Sequence, residues 1–60
     1  MSIMNMKLVN ALVKIGMQIE REMTKETFNA NKVRGLRADS ERLWKLATSQ
    51  ERSEYQKRMA

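Results

Sequence analysis

The stretch that decides the fold is IMNMKLVNALVKIGMQI, residues 3–19, which contains no acidic side chain. Its apolar residues Leu8, Leu12 and Ile15 recur at spacings of three and four, the period of one face of an α-helix. Further apolar residues flank that face, so well over half of the helix circumference is apolar. A helix in a simple two-helix hairpin needs an apolar stripe only about 100° wide. This helix therefore carries more apolar surface than one neighbouring helix covers.

The composition indicates one all-α domain over residues 1–60. The chain has no Pro and only two Gly residues. Its commonest residues are Ala, Leu, Met, Glu, Lys, Arg and Gln, which favour helices. A chain of this length is marginally stable as a monomer.

A first helix is predicted over residues 2–34. Gly35 stands where many helices end, and basic residues in the last turn complement the helix dipole. The turn is then expected over residues 35–39. An earlier break near Thr24 or Asn29 is the alternative, because Thr and Asn are weaker in helix interiors.

A second helix is predicted over residues 40–58, which makes the fold a helical hairpin. Asp39 or Ser40 can cap its start. Thr48 and Glu51 have the spacing of a capping box, so a kink or a new helix start at Thr48 is an alternative. Two pairs at i,i+4 spacing support helix here: Glu41 with Lys45, and Glu54 with Arg58.

Oligomerisation is the expected support for so small a chain. The chain has no Cys and no His, so disulfides and thiolate or imidazole metal sites are excluded. Another copy would cover the excess apolar surface of the first helix, giving a homodimer or a helical bundle. The predicted interface consists of Leu8, Val9, Leu12, Val13, Ile15, Gly16, Ile19 and Met23.

The residues indicate a protein that is not an enzyme. His and Cys supply the commonest acid–base and thiol chemistry, and this chain has neither. The carboxylate pairs Glu22–Glu26 and Glu51–Glu54 lie at helical spacing among Lys and Arg, which is typical of solvated faces. We therefore predict no catalytic, cofactor-binding or metal-binding residues.

Basic residues suggest an anionic partner. Twelve Lys and Arg against seven Asp and Glu give a net charge of +5 and a pI near 10.1. Around the predicted turn, Lys32, Arg34 and Arg37 form a candidate nucleic-acid contact. The simpler interpretation is a solvated turn. Trp44 and Tyr55 are candidate anchors for a protein partner, because such residues are enriched at interfaces.

A membrane partner is the third alternative. Residues 3–19 are shorter and more polar than the roughly 20 apolar residues of a spanning helix, and no cleavage site of a signal peptide follows them. The expected location is therefore the cytoplasm. An interfacial helix on a membrane surface is the form this alternative takes, because the first helix has a basic side and an apolar remainder.

The chain resembles the very small early accessory proteins of tailed phages, particularly lambdoid phages. The resemblance is carried by the Met-rich opening MSIMNMKLVNALVKIG and by the charged helix ADSERLWKLATSQERSEYQKRMA, without a cofactor motif. It implies expression in the bacterial cytoplasm and a regulatory task, performed by binding a host or phage protein. The leading hypothesis is a small regulatory interaction protein that self-associates and binds another protein, with nucleic-acid binding as the alternative.

Overall fold

Three α-helices make up the part of the chain that the computed structural model describes, residues 3–27 and 29–60. They are α1 (Met6–Met23), α2 (Ala30–Leu46) and α3 (Ser49–Met59). The predicted all-α class is confirmed. The predicted hairpin of two helices is wrong, because breaks occur at two places.

The first break lies at Asn29, before the predicted turn. The Asn29 side chain accepts hydrogen bonds from the backbone N–H groups of Asn31 and Lys32, at 3.0 and 3.2 Å. Asn is among the best N-cap residues and a poor interior residue, so a new helix starts here. The alternative break near Thr24 or Asn29 is the one observed, since Thr24 closes α1 as its C-cap.

The predicted turn at 35–39 is wrong, because those residues lie inside α2. Gly35 has no positive φ and therefore does not end a helix in a left-handed conformation. Asp39 and Ser40 are also interior residues rather than caps. Asp39 instead faces Arg42 one turn later, at 3.5 Å.

The second break, at Thr48, confirms the capping-box alternative. The Thr48 hydroxyl accepts from the Glu51 N–H at 3.2 Å, and the Glu51 carboxylate accepts from the Thr48 N–H at 2.8 Å. Before it, α2 ends at an extended residue, Ala47. Arg52 donates to the Trp44 carbonyl through Nε and Nη2, at 3.0 and 2.9 Å, which satisfies an acceptor in the last turn of α2.

The three helices run up, down and up again. The start of α2 is tied to the end of α1 by a hydrogen bond between Asn29 and Glu22. The start of α3 is tied to the start of α1 by a hydrogen bond between Glu51 and Asn5. Consequently α2 is antiparallel to α1, and α3 runs in the same direction as α1. Both α2 and α3 pack on α1.

The core lies where α1 contacts the other two helices. Val9 and Leu12 are fully buried, and Val33 and Ala47 are nearly so. The apolar excess of α1 is thus covered on one side by α2 and on the other by α3. The sequence-based inference of a second copy assumed one neighbouring helix, and α3 removes that premise.

Gly16 allows α3 to approach α1 closely. A Cβ atom built at Gly16 would lie 2.9 Å from the Tyr55 hydroxyl oxygen and 3.0 Å from Met59 Cε. Gly35 differs, because a Cβ built there would meet no atom within 4 Å. Gly16 therefore leaves room for α3, whereas the position of Gly35 has space for a larger side chain.

We expect Gly35→Ala to raise the free energy of unfolding by about 1 kcal/mol, the difference in helix propensity between Gly and Ala. Gly16→Ala should gain less, because the new methyl group must displace Tyr55 or Met59. Urea unfolding followed by circular dichroism measures both variants. An equal gain at the two positions would show that Tyr55 does not pack on Gly16 in solution.

Candidate interaction surfaces

A single buried carboxylate, that of Glu51, joins the starts of two helices. Glu51 is 3% exposed. One oxygen accepts from the N–H of Thr48, the N-cap of α3, and the other accepts from the N–H of Asn5, the N-cap of α1, at 2.6 Å. Neither N–H group has another acceptor among the described residues. The interaction joins residues 46 positions apart.

Glu22, near the end of α1, joins this helix to the start of α2. It is 6% exposed and accepts from the N–H of Asn29, the N-cap of α2, at 3.2 Å. Its other oxygen lies 3.1 Å from Lys25 Nζ and 3.5 Å from Lys32 Nζ. Every helix therefore begins at a residue whose backbone N–H donates to a glutamate.

These contacts make both carboxyl groups more acidic. The N–H of Thr48, followed by that of Asn5, lowers the pKa of Glu51 below its ordinary value of 4.5. The N–H of Asn29, followed by the Lys25 ammonium, lowers the pKa of Glu22 below the same value. Burial opposes both shifts but is outweighed. The expectation that Glu22 and Glu51 lie on solvated faces is wrong, because both are buried helix caps.

The residues predicted to form the oligomer interface differ in how far the fold buries them. Val9, Leu12 and Gly16 are buried within the single chain, where a second copy has no access to them. Met23 is 47% exposed. The rest are half-buried at the edges of the helix contacts: Leu8, Val13, Ile15 and Ile19.

The basic residues predicted to contact nucleic acid lie on the first half of α2, not at a turn. All three are exposed. Lys32 approaches Glu22, and Arg37 donates to the sulfur of Met23 at 3.6 Å. Arg34 forms no ion pair with any described residue. The three are therefore not equivalent as contacts for an anion.

Trp44 and Tyr55, the predicted partner anchors, contact each other. Their ring centroids are 5.5 Å apart, at an interplanar angle of 72°. The Arg52 guanidinium lies 5.2 Å from the centroid of the Trp44 ring. Both aromatic residues are half-buried. They join α2 to α3, and their role toward a partner stays a prediction.

A groove between α1 and α2 combines apolar side chains with two guanidinium groups. We call it the α1–α2 groove; its volume is 310 Å³ and its lining is Met23, Ala30, Val33, Arg34 and Arg37. Val33 is nearly buried, whereas Met23 is 47% exposed. Sequence reasoning missed this groove because its residues were assigned to one continuous helix and a turn.

The outer side of α1 carries a row of cations. Lys7, Lys14 and Arg21 are exposed and recur every seven residues. Asn10 and Gln18 lie between them. We call these five residues the basic face of α1. The sequence indicates this polar side, but its charges stand out only when the ion pairs of the other helices are known.

Comparisons with protein-family models, with curated proteins and with solved structures found no match. Within residues 3–27 and 29–60, no group of three or more His, Cys, Asp or Glu side chains is placed to hold a metal ion. The helices of the same residues include none that is long and apolar enough to cross a membrane. The function must therefore be judged from the surfaces above.

We expect acid to destabilise the fold through Glu22 and Glu51. A carboxyl group with a lowered pKa in the folded chain stabilises the fold above its unfolded pKa, and this contribution is lost as the pH falls through the folded pKa. The free energy of unfolding should thus be level near neutral pH and fall below the ordinary Glu value of 4.5. Urea unfolding from about pH 6 to about pH 3 measures it.

The double variant Glu22→Gln with Glu51→Gln should be less stable at neutral pH and show a weaker pH dependence. An amide supplies one acceptor where Glu51 uses two oxygens. Asn29→Ala is the matched control: it should lose about 1 kcal/mol at every pH, because the amide cap does not titrate and the backbone N–H that donates to Glu22 is retained. A double variant that keeps the full pH dependence would contradict the assignment.

Proposed function

We propose that this chain is a non-enzymatic interaction protein that binds another protein in the α1–α2 groove. The single observation that supports the proposal is the composition of that groove. An apolar floor of Met23, Ala30 and Val33 lies beside two exposed guanidinium groups. Apolar centres with arginine are typical of protein interfaces. Methionine adapts its shape to different apolar partners.

The chemistry of the groove defines the partner. An apolar side chain would fill the floor, and a neighbouring carboxylate would pair with Arg34 or Arg37. Guanidinium groups bind carboxylates in a bidentate geometry, which adds specificity. An acidic segment with an apolar anchor residue is therefore the partner that fits. The resemblance to phage accessory proteins supports a bacterial or phage protein as the partner that carries this segment.

Capture from a bacterial lysate treated with nuclease tests the proposal. We expect the wild-type chain to retain a protein partner, and Arg34→Glu with Arg37→Glu to reduce its recovery by about tenfold or more, the effect of losing a paired interfacial charge. Quantitative mass spectrometry of the captured protein measures the change.

Lys7→Glu with Lys14→Glu is the matched control, because it changes the net charge equally on the opposite side of α1. This variant should retain the partner. Capture that nuclease abolishes, or that the groove variant leaves unchanged, would contradict protein binding in the α1–α2 groove.

Self-association is the second part of the proposal. Only Val9, Leu12, Val33 and Ala47 among the described apolar residues are buried, so a second copy would add to a small core. Leu46 is 69% exposed and lies with Ala38, Glu41, Arg42 and Lys45 in an open hollow on the outer side of α2. Acidic and basic groups occur together there, which lets two copies related by a two-fold axis pair opposite charges.

Sedimentation equilibrium at micromolar concentration should find more than one chain per particle. Leu46→Lys should shift the population to folded monomers, because a charge would then face the partner copy. Met17→Lys is the control, since Met17 is 51% exposed on the other side of the molecule. A folded monomer at all concentrations would contradict self-association, and equal dissociation by both variants would contradict the outer side of α2.

A further inference from the structure

The basic face of α1 holds charges that the protein does not use internally. Lys7, Lys14 and Arg21 form no ion pair with any described residue. The helix contains no acidic residue before Glu20. These three side chains therefore present positive charge to solvent without an ion-pair partner among the described residues, with Glu20 and Glu22 flanking Arg21 in the sequence.

The cations of α2 are different, because most have acidic neighbours. Arg42 Nη2 lies 3.5 Å from Asp39 Oδ1, and Lys45 Nζ lies 3.7 Å from Glu41 Oε1. Lys32 approaches Glu22 at 3.5 Å. The pairs largely cancel their own charge. Helix α2 carries more net charge than α1, but three of its five cations have acidic partners, whereas the three cations on the basic face of α1 have none among the described residues.

A further cation reaches this face from α3. Arg58 donates from Nη1 to Asn10 Oδ1 at 2.7 Å, while its Nε donates to Glu54 at 3.2 Å. The hydrogen bond fixes the guanidinium beside Asn10, between the levels of Lys7 and Lys14. Its charge is partly compensated by Glu54, so the three cations of α1 remain the main contribution.

The row is straight and regular. Residues seven apart in an α-helix are separated by about 10.5 Å along the axis and drift by only about 20° around it. Lys7, Lys14 and Arg21 therefore form a line about 21 Å long. A line of this length is long enough to reach phosphates on both sides of the major groove of B-form DNA, which is about 12 Å wide.

We propose that the basic face of α1 binds the phosphate backbone of duplex DNA. Lys, Arg, Asn and Gln are the side chains that commonly contact DNA phosphates. Residues 6–23 contain no aromatic residue, whereas proteins that bind single strands stack bases on aromatic side chains. This inference goes beyond the proposed protein partner and uses a different surface. It also differs from the predicted contact at Lys32, Arg34 and Arg37.

Fluorescence anisotropy with a labelled 20-base-pair DNA duplex tests the proposal. Three phosphate contacts give a salt slope of about −2.7, so binding should weaken roughly 40-fold between 50 and 200 mM salt. The triple variant Lys7→Gln, Lys14→Gln, Arg21→Gln should lose most of the affinity and about that much of the slope. Circular dichroism checks that the variant is folded.

The matched control is Arg34→Gln, Arg37→Gln, Lys57→Gln, which removes the same charge from other surfaces. Its affinity should stay within about threefold of wild type, because nothing would change on α1. Equal losses in the two triple variants would overturn the proposal in favour of unspecific charge attraction. No binding at low salt would also overturn it, as would binding only to duplex RNA, to poly-glutamate or to vesicles with phosphatidylserine.

Discussion

The carboxylate of Glu51 is the interaction on which the rest of the structure depends. It accepts from the backbone N–H groups of the N-cap residues of both α1 and α3 and so holds the two helices side by side. The buried apolar core is small, because only four described apolar residues are less than one-tenth exposed. In such a chain, the relative placement of the helices depends strongly on directional bonds. Glu22 extends the same device to α2.

This use of buried acids explains how three short helices form without a disulfide or a long apolar face on α2. A buried carboxylate is costly unless it is hydrogen-bonded or paired. Each of these two carboxylates has several donors, and none of its buried atoms lacks a partner among the described residues. The helix starts and the buried acids therefore satisfy one another. The few remaining contacts, such as Tyr55 on Gly16, then determine how closely α3 lies to α1.

The local signals of the sequence predicted part of this fold. The period of residues 3–19 predicts α1, and the spacing of Thr48 and Glu51 predicts the capping box. Gly35 was misleading, because a glycine can stand inside a helix as well as at its end. The contact between Asn5 and Glu51 has no local signal, since it joins the two ends of the chain. From the sequence alone, the bond from Glu51 to Asn5 is therefore not predictable, and neither is the packing of α3 against α1.

The tie between Asn5 and Glu51 has a consequence for synthesis on the ribosome. Helix α1 leaves the ribosome before α3, and the side of α1 that faces α3 stays uncovered until α3 has followed. During that interval the surface around Gly16 is accessible to any apolar surface nearby, including another unfinished chain. This side of α1 is covered only when α3 packs on it. A nascent chain halted before Glu51 therefore presents a surface that α3 covers in the folded chain.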